Sequence, residues 1–160
     1  MGHPAAERAL SETVLVPTPY PDAANLVAEL DADLLARYGE GEPVAAHPEQ
    51  FTAGRRGGFL VAWTEGVATG CAGFRAIGPA TAELKRMWVR PAYRGRGLAR
   101  ALLLAVEDAA RAAGHRELWL ETGTAQPEAI SLYTSAGYTP VPAFGQYAAA
   151  PEARHLGRRL

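Results

Sequence analysis

Apolar and polar positions follow two different rules along this chain. In the first half, apolar residues come mostly in short runs bounded by Gly and Pro, the mark of strands. Thr13 to Val16 is one such run, closed by Pro17, Pro19 and Pro21. Phe59 to Trp63, Val67 to Ile77 and Thr81 to Val89 are three more, joined by Glu65-Gly66 and Gly78-Pro79. Three adjacent strands with tight turns predict an antiparallel meander. Gly70 and Gly73 mark candidate bulges in its middle strand. One helix precedes the meander. Asp22 serves as its N-cap or first-turn acid, Leu26, Val27, Leu30, Leu34 and Leu35 recur at helical spacing, and Gly39 ends it. Glu40 to Arg56, with Gly41, Pro43, Pro48 and Gly54, reads as a long loop with room for one helical turn.

In the second half the period lengthens. From Gly97 to Ala113 the chain is rich in Ala and Leu, and Leu98, Leu102, Ala105, Val106 and Ala109 share one helical face. Glu107, Asp108 and Arg111 fall on another face. Glu117 to Thr122 is again a strand, so strand, helix and strand make a crossover with its two strands parallel. A further helix spans Gln126 to Ala136, with Pro127 in its first turn and Gly137 after its end. Tyr138 to Val141 and Ala153 to Leu160 are the last predicted strands.

A length of 160 residues predicts one compact domain over residues 1–160, with Met1 to Glu12 a loose lead-in. The single cysteine, Cys71, excludes an internal disulfide and reads as a small buried hydrophobe. The longest strongly apolar stretch, Ala101 to Val106, is far short of the ~20 residues of a membrane helix. There is no apolar signal core near the N-terminus, so a cytoplasmic location away from membranes is expected. A net charge of −1 argues against a nucleic-acid partner. Yet Lys85, Arg86, Arg90, Arg94, Arg96 and Arg100 crowd one window with no Asp or Glu between Leu84 and Val106. That window predicts an anionic ligand of limited size.

The same window carries the chemistry. Glu83 to Arg100 runs strand, Gly-rich turn, helix. A helix start offers unpaired N–H groups and about half a positive charge. Gly95 and Gly97 let a phosphate approach the backbone, and Arg94 and Arg96 add cationic donors, so the turn predicts a pyrophosphate cradle. It is not a P-loop, because the only lysine, Lys85, lies upstream of it. Nor is it a dinucleotide fingerprint, because Arg100 stands where the third Gly belongs. His3, His47, His115 and His155 lack metal-ligand spacing, so no metal is expected.

Arg94-Gly-Arg-Gly-Leu-Ala99 resembles the Arg/Gln-x-x-Gly-x-Gly/Ala motif of the GNAT superfamily of acetyl-CoA-dependent N-acetyltransferases. The resemblance runs from about Phe59 to Tyr138. It takes in Val89-x-Pro91, Leu118 to Gly123, and Ala129-Ile-Ser-Leu-Tyr-Thr-Ser-Ala-Gly-Tyr138. It implies an α/β GNAT fold: a mixed, mostly antiparallel sheet of six or seven strands, splayed between the fourth and fifth, with about four flanking helices. It implies acetyl-CoA as co-substrate and a primary amine as acceptor, attacked directly in a ternary complex. Backbone groups of Met87 and Val89 would meet the pantetheine arm, and one N–H there would polarise the acetyl carbonyl. Backbone groups of Arg94, Gly95, Arg96, Gly97, Leu98, Ala99 and Arg100 would hold the pyrophosphate. Tyr133 matches the family's general acid, and Glu83 a position where some members place a base. Glu121, at the end of the neighbouring strand, is the rival base. Gln126 stands where the family commonly has an Asn that touches CoA.

Trp88, Phe144 and Tyr147 are candidates for the acceptor pocket, with core packing the competing reading for each. The expected acceptor is a small molecule. A protein lysine or N-terminus, a longer acyl group, and a non-catalytic CoA-binding module are the alternatives. Homodimers are frequent in the family, so the resemblance also allows a second copy of the chain as a partner.

Overall fold

The computed structural model describes residues 12–39 and 47–160. Most of the expected lead-in and the first part of the expected long loop lie outside the described residues. Seven strands form one mixed sheet in the order β1-β2-β3-β4-β5-β7-β6. They are β1 (Thr13–Pro17), β2 (Gly58–Thr64), β3 (Val67–Ala76), β4 (Thr81–Val89), β5 (Glu117–Gly123), β6 (Thr139–Pro140) and β7 (Ala153–Arg159). Among the described residues there are three α-helices, α1 (Ala24–Tyr38), α2 (Leu98–Ala112) and α3 (Pro127–Ser135), where the family resemblance suggested about four. Among the described strands only β4 and β5 run parallel, joined by the α2 crossover, as the change of period predicts.

Several boundaries shift for local reasons. Asp22 does not cap a helix with its side chain; it sits in a 3-10 turn, Tyr20–Ala23, that leads into α1. The later part of the loop folds into two 3-10 turns, Pro48–Phe51 and Ala53–Arg55. β6 shrinks to two residues, one of them Pro140, which has no N–H for a ladder. Glu107 is not on a solvated face. It is buried, and Arg158 of β7 donates to its two carboxylate oxygens at 3.0 and 2.9 Å.

Two cores cover the two faces of the sheet. Leu98, Leu102, Leu103 and Val106 of α2 pack with Leu84, Leu118, Leu120 and Tyr133. Leu26, Val27 and Leu30 of α1 pack with Phe51, Phe59, Val61, Cys71 and Trp88 on the opposite side. Tyr20 stacks on Phe51 at 4.9 Å, and both rings meet Phe59 edge-on. Gly73 makes room for that trio, because a Cβ there would lie 2.7 Å from Phe59 and 2.9 Å from Phe51.

The feature that positions the site is a fork. β4 and β5 pair only at Thr81↔Glu117, Ala82↔Leu118 and Glu83↔Trp119. Beyond Glu83 and Trp119 both strands continue, but apart. β5 stays anchored on its other side by seven residue pairs with β7. β4 is bent by a bulge. Its register with β3 slips between Cys71↔Trp88 and Gly73↔Lys85, which leaves an extra residue on β4 around Arg86 and Met87. Arg86 holds a left-handed φ of 58°, a conformation that costs a non-glycine residue roughly 1–3 kcal/mol. Its carbonyl accepts the Cys71 thiol at 3.3 Å and its guanidinium pairs with Asp31 of α1, so both ends of the residue are held. The middle strand does bulge beside Gly70, where Thr69 is the extra residue against Ala62 and Trp63 of β2; at the fork the bulge is on β4 and an arginine makes it, while Gly73 serves packing.

Candidate active site

The turn at the start of α2 is built as the glycines predict. Gly95 and Gly97 have φ of 74° and 83°, conformations that a side chain resists. Gly97 is the N-cap of α2, and no side chain caps the helix or places an acid in its first turn. The first N–H groups of α2 are thus left for a ligand.

A cleft of about 380 Å³ opens beside this turn. Gly95, Gly97, Leu98, Ala99, Arg94 and Arg100 form one end of it. Met87, Trp88 and Val89 of β4 form its floor, and Tyr133 and Gln126 close it from the α3 side. From Leu84 onward, the β4 backbone groups facing β5 have lost their ladder partners, which leaves hydrogen-bonding capacity along the floor. The Val89 carbonyl accepts Arg94 Nε at 2.8 Å. Arg96 is not among the lining residues; its guanidinium lies over the Tyr93 ring at 5.3 Å.

The cationic window changes meaning in three dimensions. Arg86 pairs with Asp31, Arg90 with Glu29, and Arg94 with Asp33, so three acids of α1 neutralise three of its six charges. Asp33 also accepts the Trp88 indole at 3.0 Å and pairs with Arg37, which in turn pairs with Glu128 of α3. Burial alone would raise the Asp33 carboxyl, but the Trp88 and Arg94 hydrogen bonds outweigh it and hold the group below the usual carboxylate range. Asp33, Arg37 and Glu128 all line the cleft, and the sequence reading did not single them out. The i,i+4 spacing of Asp33 and Arg37 is the one local sign of that network.

At the other end stands Tyr133, buried and set edge-on to Tyr138 at 5.9 Å. Burial pushes its phenol above the usual ~10, and the Glu121 charge adds to the rise. The two candidate bases stand at the fork, outside the residues that line the cleft, and they differ. Glu83 is buried and held by Arg75 at 2.8 Å, whose Nη1 also donates to Gln50. Glu121 is half-buried and makes no ion pair among the described residues. Burial raises its carboxyl, Lys85 pulls it down and Glu83 pushes it up, with a net rise. Gln126 Nε2 donates to the Tyr38 hydroxyl at 3.0 Å, and that hydroxyl occupies the space a Cβ on Gly123 would need.

Phe144 and Tyr147 do not line the cleft. Phe144 packs on Trp119 at 5.5 Å and His155 at 5.2 Å, and Tyr147 lies exposed in the segment before β7. Trp88 does line it. Burial, opposed in part by the nearby Arg86 charge, pushes the Cys71 thiol up to about 12, so it offers no thiolate nucleophile. Among the described residues there is no cluster of three or more His, Cys, Asp or Glu placed to hold a metal ion, and no helix long and apolar enough to cross a membrane.

Known proteins bear on this geometry. A model of the acetyltransferase (GNAT) family matches residues 26–138. An N-alpha-acetyltransferase RimI of Mycobacterium tuberculosis is 33% identical over 118 residues, 72% of either chain. An IAA acetyltransferase of Azospirillum brasilense is 44% identical over 95 residues. That match takes in 58% of this chain and 61% of the relative, so this chain spans under two-thirds of that protein's length. A solved structure from Klebsiella pneumoniae, described as an acyl-CoA N-acyltransferase, superposes with a TM-score of 0.78 at 29% identity and covers 92% of this chain and 97% of that one. A Salmonella typhimurium structure solved with acetyl-CoA shares the fold, with a TM-score of 0.71 at 21% identity over 92% of this chain and 94% of that one.

Proposed function

This chain belongs to the acetyltransferase (GNAT) family, and from that premise we propose that it moves an acetyl group from acetyl-CoA to a primary amine by direct attack in a ternary complex. The observation that carries the reading is the course of the cleft. It starts at the open N-terminus of α2 and ends at Tyr133, beside the fork between β4 and β5.

Each part of the cleft, and of the fork beside it, has a task in this reading. N–H groups from Arg94 to Arg100 hold the pyrophosphate. The unladdered β4 backbone at Met87 and Val89 lies along the pantetheine arm, and one N–H there stabilises the oxyanion as the carbonyl is attacked. Gln126 touches the arm from the α3 side. Glu121 takes a proton from the incoming ammonium; Glu83 is the weaker candidate because its carboxylate is engaged by Arg75. The raised phenol stays protonated across ordinary pH. Full transfer to a thiolate whose acid has pKa ~8.5 runs uphill, so Tyr133 acts first as a fixed O–H donor to the leaving sulfur. A cytoplasmic site of action, where acetyl-CoA is supplied, belongs to the same proposal.

Two acceptor classes fit this reading. A small-molecule amine is the first. A protein N-terminus is the second, favoured by the resemblance to a protein named as an N-alpha-acetyltransferase. The test is calorimetry with CoA, followed by release of free thiol from acetyl-CoA with a panel of amines. Binding and turnover are expected, with Tyr133→Phe lowering kcat by about tenfold or more while CoA affinity holds. CoA binding without turnover on any amine would leave a binding module; no binding at all would end the assignment.

A further inference from the structure

Lys85 and Glu121 stand at the mouth of the fork. Glu83 and Trp119 are the last residues that β4 and β5 pair. Lys85 and Glu121 each lie two positions further on, and side chains in a strand return to the same face every second residue. Leu84 and Leu120, the residues between, point into the α2-side core, so Lys85 and Glu121 are the first side chains of the two separating prongs on the α1 face. Each feels the other's charge.

The charged residues beside them are already paired. Arg75 holds Glu83, and Asp31 holds Arg86. Among the described residues, Lys85 and Glu121 make no ion pair within 4.0 Å. Burial presses both towards neutrality, lowering the Lys85 ammonium and raising the Glu121 carboxyl against their mutual attraction. His155 of β7 stands opposite Glu121 in the ladder, and its buried Nε2 has no hydrogen-bond partner among the described residues. Two half-buried groups of opposite charge, kept apart by the fork, form a template for a ligand that carries both charges.

Resting on the amine-acetylation reading, we propose that the acceptor is a small zwitterion, an amine that carries its own carboxylate, as a free amino acid does. Its ammonium meets Glu121 and its carboxylate meets Lys85. The ammonium sheds two protons in all. One passes to Glu121 and on to solvent, which frees the lone pair for attack. The other leaves after the C–N bond forms and ends on sulfur as the C–S bond breaks. Lys85 exchanges no proton; it is a specificity-determining residue. A protein N-terminus has an amide where an amino acid has its carboxylate, and so leaves Lys85 unmatched.

The experiment uses matched substrates, each amino acid beside its carboxamide, with thiol release as readout. Wild-type protein is expected to favour the acids by about tenfold or more in kcat/KM, the scale of one charge-assisted contact. Lys85→Gln should collapse that preference, chiefly through KM for the acids, and Lys85→Arg should restore most of it. CoA affinity, measured in parallel, should not move. Equal use of acid and carboxamide by wild type, or a preference that survives Lys85→Gln, overturns the proposal while leaving acetyl transfer standing. If no amine is acetylated, the transfer reading fails by itself. The zwitterion site is then read by calorimetry on CoA-loaded protein, where an amino acid must bind more tightly than its amide; equal or absent binding overturns it.

Discussion

The turn that opens the cleft and the fork beside it use charge in opposite ways. At the turn, Arg94 is already held by Asp33 and the Val89 carbonyl, and Arg96 lies over Tyr93. What remains open there is backbone: the uncapped first turn of α2 behind Gly95 and Gly97. At the fork the backbone has separated, and what remains open is side chain, Lys85 and Glu121. Backbone donors at a helix start recognise any diphosphate of the right shape, a task common to every turnover. Half-buried unpaired charges suffer a desolvation penalty until a partner arrives, so they discriminate between partners. On the proposed reading, the turn serves the co-substrate and the fork the acceptor.

The sharpest way to break this contrast is at Glu121. Glu121→Gln is expected to lower kcat/KM by about 10²-fold or more while acetyl-CoA affinity stays within about twofold. The pH profile carries the same point. Glu121 must be ionised to accept a proton, and burial lifts its pKa. Activity should therefore rise as pH climbs through a value above the ordinary ~4.3, not through it. Lys85, Glu83, Tyr133 and His155 all face this carboxyl, so each variant should move that limb slightly. A rate untouched by Glu121→Gln would make Glu83, released from Arg75 when substrate binds, the base.

The same contrast sets how much could be seen in the sequence. The turn is local: Arg94 to Arg100, the helix after it and the glycine φ values all follow from neighbouring residues. The crossover and the Tyr133 helix follow from period and from family resemblance. What neutralises Arg86, Arg90 and Arg94 comes from Asp31, Glu29 and Asp33, some sixty residues earlier, and no local pattern joins them. Gly70 marks the bulge of β3, but nothing local marks the bulge of β4, because Arg86, not a glycine, takes the left-handed conformation there. Phe144 looked like a pocket residue by type alone; Trp119 and His155 claim its ring.

At the turn, a backbone change should outweigh a charge change. Gly97→Ala puts a side chain at φ 83°, a strain of roughly 1–2 kcal/mol, and should weaken CoA binding by about tenfold. Asp33→Asn keeps the shape and a Trp88 acceptor, removes one negative charge from the cleft wall and loosens Arg94. It should strengthen CoA binding by about threefold, a sub-kilocalorie effect expected of a part-exposed ion pair. Calorimetry reads both. Weaker binding in Asp33→Asn would mean that Asp33 positions Arg94 for the ligand instead of competing with it.

The smallest effect concerns stability, and it separates an open fork from a closed one. If Lys85 waits for a partner, its burial is a penalty in the free protein, as the lowering of its ammonium by burial implies. Lys85→Met keeps the apolar stem and drops the charge. It also removes an attraction to Glu121, which offsets part of the gain. The net expectation is a stabilisation of about 1 kcal/mol or less, a rise in Tm of roughly 2–4 °C at most. Thermal unfolding without ligand measures it. If Lys85→Met instead lowers Tm by a similar amount, Lys85 and Glu121 attract strongly enough to satisfy each other. A zwitterion would then have to break that pair to bind, and the fork would resemble the turn, with its charges already taken.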